Sequence, residues 1–325
     1  MAVTRNDVAR AAGVSTAVVS YVLNNGPRHV APATRQRVLD VIAELGYRRD
    51  VVARAMKTGS TDSVGLVLPE ITPSYFAGMA QQITNAAGAC GLSVTVATSN
   101  GDVKVERGHV AELAQRRVNG VILFSLEPSQ DFSWAGELGV PLLVLDRPRA
   151  AEEGATAASH LAEHGCRRIA RVFAPQYAFV QQRDLGVARA LRERGVVGDD
   201  AELVVHVEAS EKGGYLAARQ LLSLSPRPDG AIIDNPRQVT GFLRGATDLG
   251  FSVPEDIAVV GYDLDTHAEF TIPRMSSIDI NVGEFAARAI EMIRNATPGD
   301  GLLIMREQGF SFTPRESCGH RPLPA

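Results

Sequence analysis

Residues 14–25, "VSTAVVSYVLNN", place four valines, a tyrosine and a leucine in one short run that ends in two asparagines. Wound as a helix, the run puts Val18, Val19, Val22 and Leu23 on one side. Thr16, Ala17, Ser20, Tyr21 and Asn24 fall on the other. One face is apolar enough for a core, and the other carries small or hydrogen-bonding groups. What the second face touches decides the role of the chain.

The neighbouring residues frame this helix. Thr4 followed by Asp7 has the spacing of a capping box and predicts a helix beginning near Arg5. Gly13 is a natural stop and Ser15 a natural cap for the helix that follows. A third helix is expected after "NNGPRHVAP", with Pro32 in its first turn. Val38, Val41, Ile42 and Leu45 would form its apolar stripe, and Gly46 would end it. Two helices joined by a short glycine-containing turn have the spacing of a helix-turn-helix.

Charge points the same way. The chain has 325 residues and a net charge of −4, unevenly spread. The first sixty residues hold an excess of five positive charges, leaving −9 on the remainder. A basic module on an acidic body suggests a polyanion as partner at one end. No apolar run reaches the roughly 18–20 residues of a membrane span. The opening "MAVTRNDVAR" lacks the apolar stretch of a secretory signal. Cys90, Cys166 and Cys318 are odd in number and far apart, which predicts no disulfide framework and a reducing, cytoplasmic setting.

The ordered string "DVA", "AGVS", "VS-VLN", "V-P-TR-RV" and "ELGY" resembles the DNA-binding head of the LacI/GalR family of bacterial transcriptional regulators. The resemblance implies that Thr16, Ala17 and Tyr21 read bases in a major groove, with Ser20 on the same face. It implies that Thr4, Ser15, Asn24, His29 and Thr34 hold phosphates. Tyr21 departs from the commoner arginine or histidine, and Ala17 offers only apolar contact, so the operator is not inherited from a relative. "RRDVVARAMKTGST" is similar to the family's hinge. That similarity implies a short helix at Val51–Lys57, with Ala53 allowing two such helices to approach and Met56 wedging a minor-groove step.

From Ser63 onward, "VGLVLP", "LSVTVATS", "GVILFS", "VPLLVLD", "RIARVFA", "ELVVHV", "GAIID" and "IAVVGYD" alternate with helix-length segments. Their nearly continuous apolar character predicts parallel strands buried on both faces in a doubly wound α/β architecture. No G-x-G-x-x-G or Walker sequence follows any of them, so no nucleotide cofactor is expected. The family resemblance continues more weakly through "VNGVIL", "LAEHGCRRIA" and "VPEDIAVVGYD". It implies a two-lobed periplasmic-binding-protein-like core with an effector, such as a carbohydrate, in the cleft. Cleft candidates by motif position are Tyr75, Phe76, Asp146, Arg183, Asn235 and Asp263. After "VLDRP" the chain runs almost directly into "AAEEGATAASHLAEHG", where a strand and loop of about a dozen residues would ordinarily stand.

The expected organisation is therefore a helix-turn-helix domain over 1–48, a hinge and linker over 49–60, and a two-lobed effector and dimerisation domain over 61–325. The expected protein is a repressor that binds a pseudo-palindromic double-stranded DNA operator as a homodimer, with no membrane partner. One alternative is a DNA-binding regulator without an effector. Another is a zinc hydrolase, because His160, Glu163 and His164 have H-x-x-E-H spacing, although no third ligand is evident. The carboxyl-terminal tail shows no heptad repeat that would add a tetramerisation helix.

Overall fold

The computed structural model describes residues 3–24, 29–47, 60–71, 74–127, 130–147, 149–175, 178–198, 200–297, 299–306 and 309–319. The chain divides into two compact units, Met1–Gly59 and Ser60–Ala325. The hinge residues Ala53 and Met56 lie outside the described residues.

The described residues of the first unit form three helices, α1 (Arg5–Ala11), α2 (Thr16–Asn24) and α3 (Pro32–Leu45). The capping box forms as its spacing predicts: the Asp7 amide donates to Thr4 Oγ1 at 3.4 Å, and the Thr4 amide donates to Asp7 Oδ2 at 3.0 Å. Ser15 Oγ accepts the Val18 amide at 3.3 Å and starts α2. Pro32 stands in the first turn of α3, and Gly46 ends that helix at φ +62. Val8, Ala9, Ala12, Val19, Val22 and Val38 make a small core, with Val18 and Leu23 packed against it.

The second unit holds two sheets with helices on their faces. In the first lobe the strands are β1 (Ser63–Leu68), β2 (Ser93–Thr98), β3 (Gly120–Leu123), β4 (Leu142–Asp146) and β10 (Leu302–Arg306). They lie in the order β10-β4-β3-β1-β2, all parallel. In the second lobe β5 (Ile169–Phe173), β6 (Val204–His206), β7 (Gly230–Ile233), β8 (Ala258–Tyr262), β9 (Ser276–Ile280) and β11 (Phe310–Thr313) lie in the order β11-β9-β8-β7-β5-β6. Among the described strands only the β11–β9 pair is antiparallel. The chain passes between lobes three times: after β4, after β9 and after β10.

Helices α4 (Ser74–Ala89) and α5 (Val103–Gln115) serve the first lobe. Helices α6 (Ala150–Glu163), α7 (Ala178–Glu193), α8 (Glu211–Leu222) and α9 (Pro236–Asp248) serve the second. The last helix, α10 (Val282–Asn295), returns to the first lobe and packs Phe285, Ala289 and Ile293 into the core that contains Met79 and Ile83.

Two expectations need correction. Burial on both faces holds for β1, β3, β5, β7 and β8 and for all but the last residue of β4, but not for β2 or β6, whose residues are mostly exposed or half-buried. Both stand at the edge of their sheet, with a strand neighbour on one side alone. Three strands were also not anticipated. β9 reads "SSIDI", yet Ser276 and Ser277 are fully buried because their hydroxyls are satisfied: Ser276 Oγ accepts the Arg315 amide, and Ser277 Oγ donates to Asp279. β10 and β11 are edge strands with mixed exposure.

Candidate functional site

In the first unit, Val19 and Val22 are buried while Thr16 and Ala17 are exposed and Ser20 and Tyr21 half-buried. The two-sided reading of α2 thus has its structural counterpart. Arg35 donates to the Val22 carbonyl at 3.3 Å and fastens the end of α2 to α3. Ser15 and His29 are exposed, and Thr34 is half-buried in the first turn of α3. Nothing is described for the Asn24 side chain. Thr4 Oγ1 donates to Asp7 Oδ2 at 2.6 Å, and that bond holds the Asp7 carboxyl below its ordinary range. The surface of short side chains beside a half-exposed tyrosine suits a helix that must lie close to base edges.

In the second unit the cleft candidates separate into three groups. Arg183 and Asp263 meet. Arg183 is 2% exposed, so it is no solvated surface charge. Its Nε donates to Glu153 at 2.6 Å, Nη1 to Asp234 at 3.0 Å and Nη2 to Asp263 at 2.8 Å. The Tyr262 ring lies 4.3 Å from its guanidinium carbon. Asp263 ends β8 at φ +54, a left-handed conformation that aspartate tolerates. Asn235 instead caps α9, its side-chain oxygen accepting the Arg237 amide at 2.9 Å. Pro236 in that first turn explains the cap, since proline favours the start of a helix.

Tyr75 and Phe76 part company. Tyr75 lines a cavity of about 700 Å³ that also touches Gln82, Asp263, His267, Asp279 and Arg315. Phe76 lines none of the described cavities beside the cleft. It is packed edge-on against Phe124 at 5.2 Å in the first lobe's core. Asp146 borders a second cavity of about 230 Å³, with Phe124, Arg147, Phe179 and Gln182 among its neighbours.

Four residues not singled out from the sequence complete the site: Arg147, Glu153, Phe179 and Asp234. Arg147 Nη2 donates to both Glu153 oxygens at 3.1 and 3.2 Å, and Arg147 reaches Asp263 at 3.4 Å. Two guanidinium groups and three carboxylates thus share one buried cluster. Burial opposes ionisation of Glu153 and Asp263, but Arg147 and Arg183 outweigh it and hold both carboxyls below their ordinary range. For Asp234 burial prevails over Arg183, and its carboxyl is pushed up. The sequence carries faint signals for three of the four: Arg147 adjoins Asp146, Asp234 adjoins Asn235, and Glu153 follows directly where the chain is short.

The short connection is real. Residues 147–149 alone separate β4 from α6. α6 then crosses α7 at backbone contact: a Cβ on Gly154 would lie 2.0 Å from the Arg183 carbonyl oxygen, and one on Gly186 1.9 Å from that of Ala151. This crossing fixes Glu153 beside Arg183. The H-x-x-E-H rings are otherwise engaged. His160 Nε2 lies 3.1 Å from Cys318 Sγ, His164 Nδ1 lies 2.9 Å from the His160 carbonyl, and Glu163 faces Arg194 at 3.7 Å. Among the described residues no group of three or more potential ligands could hold a metal ion. None of the described helices is long and apolar enough to cross a membrane.

A helix-turn-helix followed by two doubly wound lobes with a polar cleft defines a ligand-binding core joined to a DNA-binding head. Comparison with known proteins gives the same class. The profile described as "Bacterial regulatory proteins, lacI family" matches residues 4–50, and "Periplasmic binding protein-like domain" matches residues 158–318. The chain is 32% identical over 295 residues to the HTH-type transcriptional repressor PurR of Pectobacterium carotovorum subsp. carotovorum, covering 85% of this chain and 84% of that one. It is 29% identical to PurR of Mannheimia succiniciproducens, over 89% and 90% of the two chains. Among solved structures, the Lac repressor dimer bound to operator and the anti-inducer ONPF matches with a TM-score of 0.82 at 23% identity, over 98% of this chain and 99% of that one. The CelR–cellobiose complex matches with a TM-score of 0.64 at 29% identity, over 97% and 99%.

The chain belongs to the LacI family of bacterial regulatory proteins. It is a DNA-binding transcriptional regulator of the helix-turn-helix type.

Proposed function

We propose that the protein represses transcription in the cytoplasm by binding a pseudo-palindromic operator as a homodimer, and that it is no enzyme. The observation that carries this reading is α2, whose valines are spent on the head's core while Thr16 and Ala17 face outward beside Tyr21. Thr16, Ala17 and Tyr21 discriminate bases, with Ser20 beside them. Thr4, Ser15, Asn24, His29 and Thr34 fix the register on phosphates. Ala53 and Met56 act when the hinges of two subunits pair on the minor groove.

The second copy docks on the body. Phe270 and Ile272, 83% and 94% exposed on one loop of the second lobe, are large apolar side chains that a lone chain leaves in water. A small molecule entering between the lobes shifts DNA affinity through its differential affinity for two arrangements of the dimer. Tyr75, Asp146 and Asp263 border that site, Arg183 backs it through Asp263, and Phe76 and Asn235 support it from the core and the α9 cap.

Selection of bound DNA from a random-duplex library by the purified protein tests the reading. Enrichment of a two-fold symmetric site is expected. Tight, salt-sensitive binding without enrichment would replace it with a non-specific architectural role.

A further inference from the structure

We propose that Arg147 is an internal ligand of the cleft. Its guanidinium holds the two lobes together, so the DNA-binding form needs no small molecule, and a ligand acts by displacing it. The coupling to DNA rests on the repressor reading above.

Arg147 leaves the first lobe at the end of β4, where Asp146 is still paired with Arg306 of β10. Its partners lie mostly in the other lobe: Glu153 at the start of α6, Asp263 at the end of β8 and Phe179 at the start of α7. The guanidinium carbon sits 5.1 Å from the Tyr75 ring centre and 5.0 Å from that of Phe179. Tyr75 belongs to the first lobe and Phe179 to the second, so both lobes contribute an aromatic face. A planar cation between two rings, with its N–H groups forked onto carboxylates, is the arrangement by which a protein recognises a planar cationic ligand. Here the side chain is 2% exposed. It also stands between the cleft's two cavities: Tyr75 lines the larger, Phe179 the smaller, and the two share no lining residue.

The surrounding charge makes the place specific for a cation. With Arg147 withdrawn, Glu153, Asp234 and Asp263 would face one another in a buried site around the single guanidinium of Arg183. A neutral ligand such as a sugar leaves that imbalance, which burial makes costly. The occupant that fits is a planar nitrogenous cation, a guanidinium or amidinium. The three-residue passage from β4 to α6 is what puts the chain's own guanidinium there: Arg147 is anchored by a strand on one side and by α6 on the other.

The experiment is chemical rescue of full-length Arg147→Ala with N-ethylguanidinium at millimolar concentration, with urea and ethylammonium as controls. The expected result is a lowered melting midpoint that N-ethylguanidinium raises and the controls do not, while the wild type does not respond. Affinity for an operator selected from random DNA should fall on the order of tenfold and return with the same additive. A variant that melts and binds like the wild type, or that N-ethylguanidinium fails to raise, overturns the proposal. Rescue of melting with unchanged operator affinity would keep Arg147 as the occupant and overturn its coupling to DNA. Loss of sequence-specific binding by the wild type would instead overturn the repressor reading. Should Arg147→Ala not fold, Arg147→Gln removes the charge and the terminal fork while filling the stem, and it is read with guanidinium itself as the additive.

Discussion

The head and the cleft treat their polar groups in opposite ways. On α2 the apolar side is spent inside and short side chains, Thr16 and Ala17, are left outward. In the cleft, Arg147, Arg183, Glu153, Asp234 and Asp263 are turned on one another, and the Arg183 donors reach three separate carboxylates. A surface made to read something outside the molecule leaves its hydrogen-bonding capacity unspent. A cleft whose charged groups are paired with one another is preorganised for closure and must be broken into before it binds anything. The same chain thus has one site open to a partner and one closed by its own residue.

That contrast breaks most readily at Glu153, which serves both arginines. Glu153→Ala is expected to destabilise the body by about 3–5 kcal/mol, because two buried guanidinium groups lose a shared carboxylate. Urea denaturation measures it, and a change within error would mean that the cluster adds nothing to closure. The acid limb of stability adds a check. Glu153 and Asp263 are held below their ordinary range, so the stability they contribute is present above about pH 4 and lost as pH falls through their lowered values. Asp234, pushed up by burial, contributes in the opposite sense and loses its part as pH rises through its raised value. Glu153→Gln should flatten the acid limb.

On the head the expected effects are smaller and selective. Thr16→Ala and Tyr21→Ala should each cost about 1–3 kcal/mol of discrimination at one base position and leave non-specific binding unchanged. Equal losses on specific and random DNA would remove these side chains from base reading. Ser15→Ala should cost about 1 kcal/mol of head stability through its lost cap on the Val18 amide. A loss of affinity on operator and random DNA beyond that expected from unfolding would show a phosphate contact as well.

The two regions also differed in how much of them could be read from residue order. The head was legible because its contacts are local: the Thr4–Asp7 box, the Ser15 cap and the Pro32 and Gly46 boundaries are all set within a few residues. The eight apolar strands were legible from composition, and the short passage after β4 from the run "DRPRAAEEG". The cleft was only half legible. Arg183 and Asp263 were identified by position, but Glu153 lies thirty positions before Arg183, and only the crossing of α6 and α7 at Gly154 and Gly186 brings them together. Phe76 and Asn235 show what motif position alone does not reveal: Phe76 packs into the first lobe's core, and Asn235 caps α9.

If Arg147 closes the cleft and closure favours DNA, the protein binds its operator unaided. The most direct test is operator affinity of protein unfolded, dialysed free of small molecules and refolded. Specific binding with a Kd of roughly 10⁻⁸–10⁻¹¹ M at physiological salt is expected with nothing added. Specific binding that returns only when a small molecule is supplied would contradict it.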